Sequence, residues 1–157
     1  MEKYSIRKAR MEDLETLLRF EQGVIEAERP MDETLRPGTI HYYDIRALIS
    51  EPHIELLVAV LPNGQLIGSG YARIEPSKPY LNHRTHAYLG FMYVEPEYRG
   101  RGINQELIEG LKAWCKSQEV FELQLEVYDV NKAAIRSYEK AGFSKNLVNM
   151  RLGLDQG

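Results

Sequence analysis

The stretch from Thr85 to Ser117 constrains the fold of this chain more than any other, because it reads as a strand, a glycine turn and a helix in direct succession. Thr85 to Val94 has the pattern of a strong strand, and Glu95-Pro96-Glu97-Tyr98 is the exit from it. Ile103 to Ser117 carries the clearest helical period: Ile103, Leu107, Ile108, Leu111, Trp114 and Cys115 share one side, with the charges opposite. Between them stands Arg99-Gly100-Arg101-Gly102-Ile103-Asn104. Gly100 and Gly102 permit backbone angles barred to other residues and a close approach to a ligand. The following helix aims its free N–H groups and positive dipole end at the same spot, and Arg99 and Arg101 add charge. This is a candidate anion site, with a solvated basic turn that merely starts a helix as the competing reading. A Walker loop is excluded by spacing, and a dinucleotide fingerprint lacks its third glycine, since Gln105 stands there.

The rest of the chain predicts a mixed α/β (α+β) domain around one sheet. Lys3 to Ala9 alternates as a short strand, and Met11 to Val24 is helical, with Leu14, Leu17, Leu18, Glu21 and Ile25 on one face. Glu28 to Gly38 reads as a loop. Ile40 to Ile49 is expected to be a second helix, with Tyr43, Ala47 and Leu48 inward and Pro52 ending it. Ile54 to Leu61 and Leu66 to Ile74 form a hairpin through Pro62-Asn63-Gly64-Gln65. Glu75 to Arg84 is a polar connection. Phe121 to Tyr128 is expected as a strand, Asn131 to Ala141 as a helix with Asn131 as N-cap and Gly142 just beyond its end, and Phe143 to Leu154 as one or two strands.

Composition narrows the function. A single domain over residues 1–157 fits the length, and a hydrophobic fraction of 43% is enough to bury a core without staples. A net charge of −3 argues against a nucleic-acid partner, which needs a basic surface. One cysteine, Cys115, rules out an intramolecular disulfide and is expected in the core; with no apolar leader or membrane-length run, a cytoplasmic protein without a membrane partner is expected. His41, His53, His83 and His86 show no metal-ligand spacing beyond the His83/His86 pair, so no metal is expected.

Two segments carry a family resemblance. Tyr88-Leu89-Gly90-Phe91-Met92-Tyr93-Val94-Glu95-Pro96-Glu97-Tyr98-Arg99-Gly100-Arg101-Gly102-Ile103 resembles the acetyl-CoA-binding motif of the GNAT superfamily of N-acetyltransferases. Arg99 and Gly102 match the pattern, whereas Asn104 stands where the family usually has Gly or Ala. Leu125 to Phe143 is similar to the family's strand, Asn, helix and Tyr-x-Lys-x-Gly-Phe segment. The resemblance implies a mixed, mostly antiparallel twisted sheet flanked by helices, with acetyl-CoA as cosubstrate. It further implies that Arg99, Gly100, Arg101, Gly102, Ile103 and Asn104 hold the pyrophosphate. Met92, Tyr93 and Val94 would line the pantetheine arm, with a backbone N–H near Met92 on the thioester carbonyl. Tyr138 would protonate the leaving thiolate, and Asn131 would touch the cofactor.

Acetyl transfer to an amine needs that amine neutral, and a lysine-type amine has a pKa of about 10.4. Glu126 is the leading candidate base, with His86 and the Glu26/Glu28 pair behind it and ordered water as a further option. Glu28 and Arg29 are candidate acceptor contacts: the acid would draw a cationic amine and the arginine a carboxylate. Tyr42, Tyr43 and His83 are further acceptor candidates. The expected function is acetyl-CoA-dependent N-acetylation of a primary amine on a small molecule or peptide. The alternatives are another acyl-CoA donor and a CoA-binding regulatory module without turnover. A second copy of the chain is carried as a candidate partner.

Overall fold

The computed structural model describes residues 3–156. Strands β1 (Ser5–Lys8), β2 (Ile54–Val60), β3 (Leu66–Pro76), β4 (Thr85–Val94) and β5 (Leu123–Gln124) lie side by side in chain order. The first three pairings are antiparallel and the β4–β5 pairing is parallel. The β2–β3 turn forms because Gly64 takes φ +91° while the Asn63 side chain accepts from the Gln65 N–H at 2.9 Å.

Alternation along β2 sends Leu56 and Val58 to one face and Leu57 and Ala59 to the other. Helices α1 (Leu14–Glu28) and α2 (Ile45–Ser50) cover the first face, where Leu17, Phe20, Tyr71 and Phe91 are buried. Helix α3 (Ile103–Ser117) covers the second through Ile103, Leu107, Leu111 and Cys115, and helix α4 (Lys132–Lys140) follows β5. At about 25 cal/mol per Å² of apolar surface, these two layers supply most of the drive to fold. The architecture is the expected mixed, mostly antiparallel sheet with helices on both faces.

The bounds of β4 and α3 match the sequence expectation, and others are corrected. Helix α1 runs a full turn further, to Glu28, and buries Phe20, while Leu18 points out. The second helix is confined to Ile45–Ser50. Residues 40–44 are not helical because their polar groups go to α1: the buried Glu21 carboxylate accepts the N–H groups of Tyr42 and Tyr43, each at 2.8 Å, and Gln22 Nε2 donates to the Ile40 carbonyl. Asp44 then caps α2 by accepting from the Ala47 N–H. The strand expected over 121–128 shrinks to two residues, because it separates from β4 after Tyr88 and Gln124. The strands expected over 143–154 do not form: among the described residues this segment has no pairing partner.

Candidate active site

The chemistry-bearing residues meet where β4 and β5 part. Only Ala87 with Leu123 and Tyr88 with Gln124 pair across that seam, so the remainder of β4 opens onto a wedge. A bulge interrupts β4 inside the wedge. Tyr71 faces Gly90 and Ser69 faces Tyr93, leaving Phe91 and Met92 together opposite Gly70 with no ladder partner of their own. Phe91 takes φ +56°, a left-handed angle unusual for a bulky residue. The buried Ser69 hydroxyl donates to the Phe91 carbonyl at 2.9 Å, and the Phe91 ring stacks on Tyr43 with centroids 4.6 Å apart. The bulge therefore takes the Met92 peptide out of the sheet's pairing, as a backbone donor aimed at a ligand requires.

The glycine turn has the predicted form. Gly100 and Gly102 take φ +76° and +82°, and a Cβ on either would meet open space, so conformation rather than crowding demands glycine there. Gly102 begins α3 without a side-chain cap, which leaves the first N–H groups of the helix available to an anion. Beside it lies a cleft of about 360 Å³ bounded by Val94, Arg99, Asn104, Arg136, Ser137 and Lys140. Arg136 and Lys140, one helical turn apart on α4, bring positive charge that the sequence reading missed; their i, i+4 spacing in the second motif was the available signal. The Asn104 side chain does not crowd the turn: its Nδ2 donates to Ser137 Oγ at 3.3 Å, and Gln105 Nε2 donates to the Ser137 carbonyl at 2.9 Å, tying α3 to α4. The cleft fits a pyrophosphate in charge and in donors.

Other expected cofactor contacts are placed less directly. Arg99 turns back so that Nε donates to the Val94 carbonyl at 2.8 Å, with its guanidinium over the Tyr93 ring. Arg101 lies over Tyr98. The Tyr93 side chain is on the opposite face, packed on Phe20 and donating to Glu95, so only its backbone borders the wedge. Asn131 is the N-cap of α4, accepting from the Ala134 N–H at 3.2 Å.

On the α1–α2 side, a pocket of about 870 Å³ is walled by Tyr43, Tyr71 and Tyr88, with Arg73, Glu75 and Glu126 at its polar parts. Arg73 lies over the Tyr71 and Tyr88 rings and donates to Glu75, while Tyr88 donates to Glu126 at 3.0 Å. His86 Nε2 lies 3.3 Å from Glu75, and its Nδ1 meets Ser77, which also bonds His83. Both histidines are thereby engaged in a polar chain rather than presented to the pocket. Arg29 is engaged too: it donates to Glu26 and to the carbonyls of Arg36 and Gly38, clipping its own loop.

Glu28 lies among tyrosines. Burial is the largest cause that raises the hydroxyl pKa values of Tyr42, Tyr43, Tyr128 and Tyr138, and the Glu28 charge adds to it in all four, after Tyr71 at Tyr43 and after Asp32 at Tyr128. Burial raises the pKa of Glu28 itself, with the Asp32 charge adding and the Tyr42 hydroxyl opposing. Tyr42 Oη is enclosed without a hydrogen bond of ordinary length, although Glu28 is close enough to perturb it. The Tyr138 hydroxyl, pushed up to about 12, stays protonated at neutral pH and has no protein hydrogen-bond partner among the described residues. Cys115 is fully buried in the core with its thiol pushed up to about 11 by burial, unsuited to act as a nucleophile. Among the described residues no group of His, Cys, Asp and Glu is arranged to hold a metal, and no helix is long and apolar enough to cross a membrane.

Comparison with known proteins agrees with this geometry. The model of the Acetyltransferase (GNAT) family matches residues 11–143. An acetyltransferase of Yersinia pestis is 32% identical over 128 residues, covering 79% of this chain and 84% of that protein. N-alpha-acetyltransferase 30 of Saccharomyces cerevisiae is 34% identical over 79 residues, which span 50% of this chain and 45% of the yeast protein. A predicted acetyltransferase from Clostridium acetobutylicum, solved with acetyl-CoA, has the same fold, with a TM-score of 0.73 at 20% identity and 96% of each chain covered.

Proposed function

Because this chain belongs to the acetyltransferase (GNAT) family, we propose that it moves an acetyl group from acetyl-CoA directly to a primary amine of a small molecule or peptide. The observation that carries the reading is the junction of two sites at one wedge. An anion cleft with an uncapped helix start lies at the end of β4, and an aromatic, acid-rimmed pocket lies beside its middle. Between them sits the bulge with its unpaired Met92 peptide.

Acetyl-CoA, when bound, supplies an activated thioester carbonyl. The chain's residues do the rest in this reading. The Gly100–Gly102 turn, the first amides of α3, Arg136 and Lys140 hold the pyrophosphate, with Arg99, Arg101, Ile103, Asn104 and Asn131 around them. The peptides of Met92 and Val94 hold the arm and polarise the carbonyl. Tyr43, Tyr71 and Tyr88 enclose the acceptor, and Glu126 and Glu75 draw its ammonium.

The amine must lose a proton before it attacks. Glu28 is better suited to take it than Glu126, because burial lifts its pKa toward the working range while Glu126 is exposed. As the nitrogen–carbon bond forms and the carbon–sulfur bond breaks, Tyr138 donates its hydroxyl proton to the departing sulfur, and the proton that the acylated nitrogen sheds returns to the tyrosinate through solvent. Thiol release from acetyl-CoA with a panel of amines tests this reading. The panel includes peptide N-termini, whose pKa near 7.7–8.0 leaves more of the neutral form than a lysine does. Release that depends on an amine supports it; release with none of them contradicts it.

A further inference from the structure

One charged group of the acceptor pocket has no part in the acetyl transfer. Arg73 is the only lysine or arginine among the described residues that wall that pocket. Its Nε donates to Glu75 Oε2 at 2.8 Å, and its guanidinium lies 5.4 Å from the ring centre of Tyr71 and 5.6 Å from that of Tyr88. Glu75 is held in turn, with Oε1 3.3 Å from His86 Nε2 and His86 Nδ1 2.9 Å from the Ser77 hydroxyl. Ser77 also meets His83 Nδ1 at 2.8 Å, so its hydroxyl donates to one imidazole and accepts from the other. A chain of side chains thus runs in from the β3–β4 connection and ends on a guanidinium.

That chain fixes the direction of Arg73 from the Nε edge and leaves the far edge of its fork unspent. Besides Glu75, the Tyr71 hydroxyl is the one polar group among the described residues that acts on the guanidinium. A planar fork held this way matches a carboxylate through two parallel hydrogen bonds. Its place along the sheet fits a small molecule. Arg73 pairs with Tyr88, whereas Gly70 lies opposite the bulge at Phe91 and Met92. Three residues of strand part those positions by about 10 Å. The Tyr71 ring spans part of that distance, lying against Gly90 with Arg73 over it. The other acids of the pocket, Asp44, Glu51 and Glu126, have no cation paired with them among the described residues. They repel a carboxylate that arrives without an ammonium of its own, and Arg73 repels a second cation between the rings.

We propose, resting on the transfer reading of this pocket, that Arg73 reads a carboxylate on the acceptor and that the molecule acetylated is an amino acid or a similarly small zwitterion. Its ammonium is drawn to Glu126 and its carboxylate pairs with the Arg73 fork beside the Tyr71 and Tyr88 rings.

Steady-state thiol release from acetyl-CoA tests this with matched pairs: L-amino acids and ω-amino acids of increasing length, each beside the same amine lacking its carboxylate. A charged hydrogen-bonded pair is expected to raise kcat/KM by about tenfold or more for at least one zwitterion over its plain partner, mainly through KM. That ratio should fall toward unity in Arg73→Gln and be partly kept in Arg73→Lys, which retains the charge without the fork. Melting of each variant with acetyl-CoA reports that it is folded and holds the donor. Plain amines used as well as their zwitterionic partners by the wild-type protein, or a ratio that survives Arg73→Gln, overturn the proposal and leave the transfer reading standing. Release with no amine of either kind overturns both.

Discussion

The Ser69 hydroxyl donates to the Phe91 carbonyl at 2.9 Å, inside the core, and so pins a residue held at φ +56°. That bond ties the middle of β3 to the one irregular point of β4. It is the local cause of the bulge that releases the Met92 peptide. Ser69→Ala leaves a buried carbonyl without a donor, at a cost of about 1–3 kcal/mol. It should lower stability in urea by that amount and reduce kcat more than it weakens acetyl-CoA binding. Unchanged stability together with unchanged kcat would show that the bulge is held by something else.

Tyr138 stays protonated at neutral pH, and its hydroxyl has no hydrogen-bond partner among the described residues. Tyr138→Phe keeps the ring packed on Phe143 and removes only the proton. A loss in kcat of about 10²–10⁴ is expected, with little change in the affinity for acetyl-CoA, because general acid catalysis contributes in that range. Equal losses in turnover and binding would point to a structural role instead.

The pH dependence separates the two carboxylates. Glu28 has its pKa raised by burial, so it stays protonated to a higher pH than an ordinary carboxyl and becomes a base only above it. Activity should therefore rise with pH along a limb whose midpoint lies above the usual carboxylate value. Glu28→Gln should abolish that limb. Glu126→Gln should leave the limb where it is and raise KM for cationic amines. A limb that persists in Glu28→Gln removes Glu28 from the base role.

Much of this arrangement was legible in the chain. The period of Ile103 to Ser117 and the glycines before it located α3 and its turn, because local geometry and local residues agree there. Three features were hidden because they depend on distant partners. Residues 40–44 read as helical, yet Glu21, 21 and 22 residues back in sequence, draws away the amides of Tyr42 and Tyr43. The strand expected over 121–128 has the right alternation, but alternation does not reveal that β4 turns away from it. The strands expected over 143–154 likewise lack a partner within the described chain, although their pattern is sound. At the site, the glycines and Tyr138 stood out in sequence, while Ser69, Arg73 and the basic pair on α4 came into view only once the elements packed together.

The central claim, that the cleft at the start of α3 holds acetyl-CoA, is tested most directly by thermal melting with and without it. At a free concentration about 100 times Kd, a ligand bound only by the folded state stabilises it by about 2.7 kcal/mol. For a chain of this size that is a rise in melting temperature of roughly 5–10 °C. The rise should appear with acetyl-CoA and with CoA, and should shrink sharply in the Arg136→Ala, Lys140→Ala double variant, which withdraws two of the cations around the cleft. No rise at high excess of either compound, or a full rise in the double variant, would contradict the account.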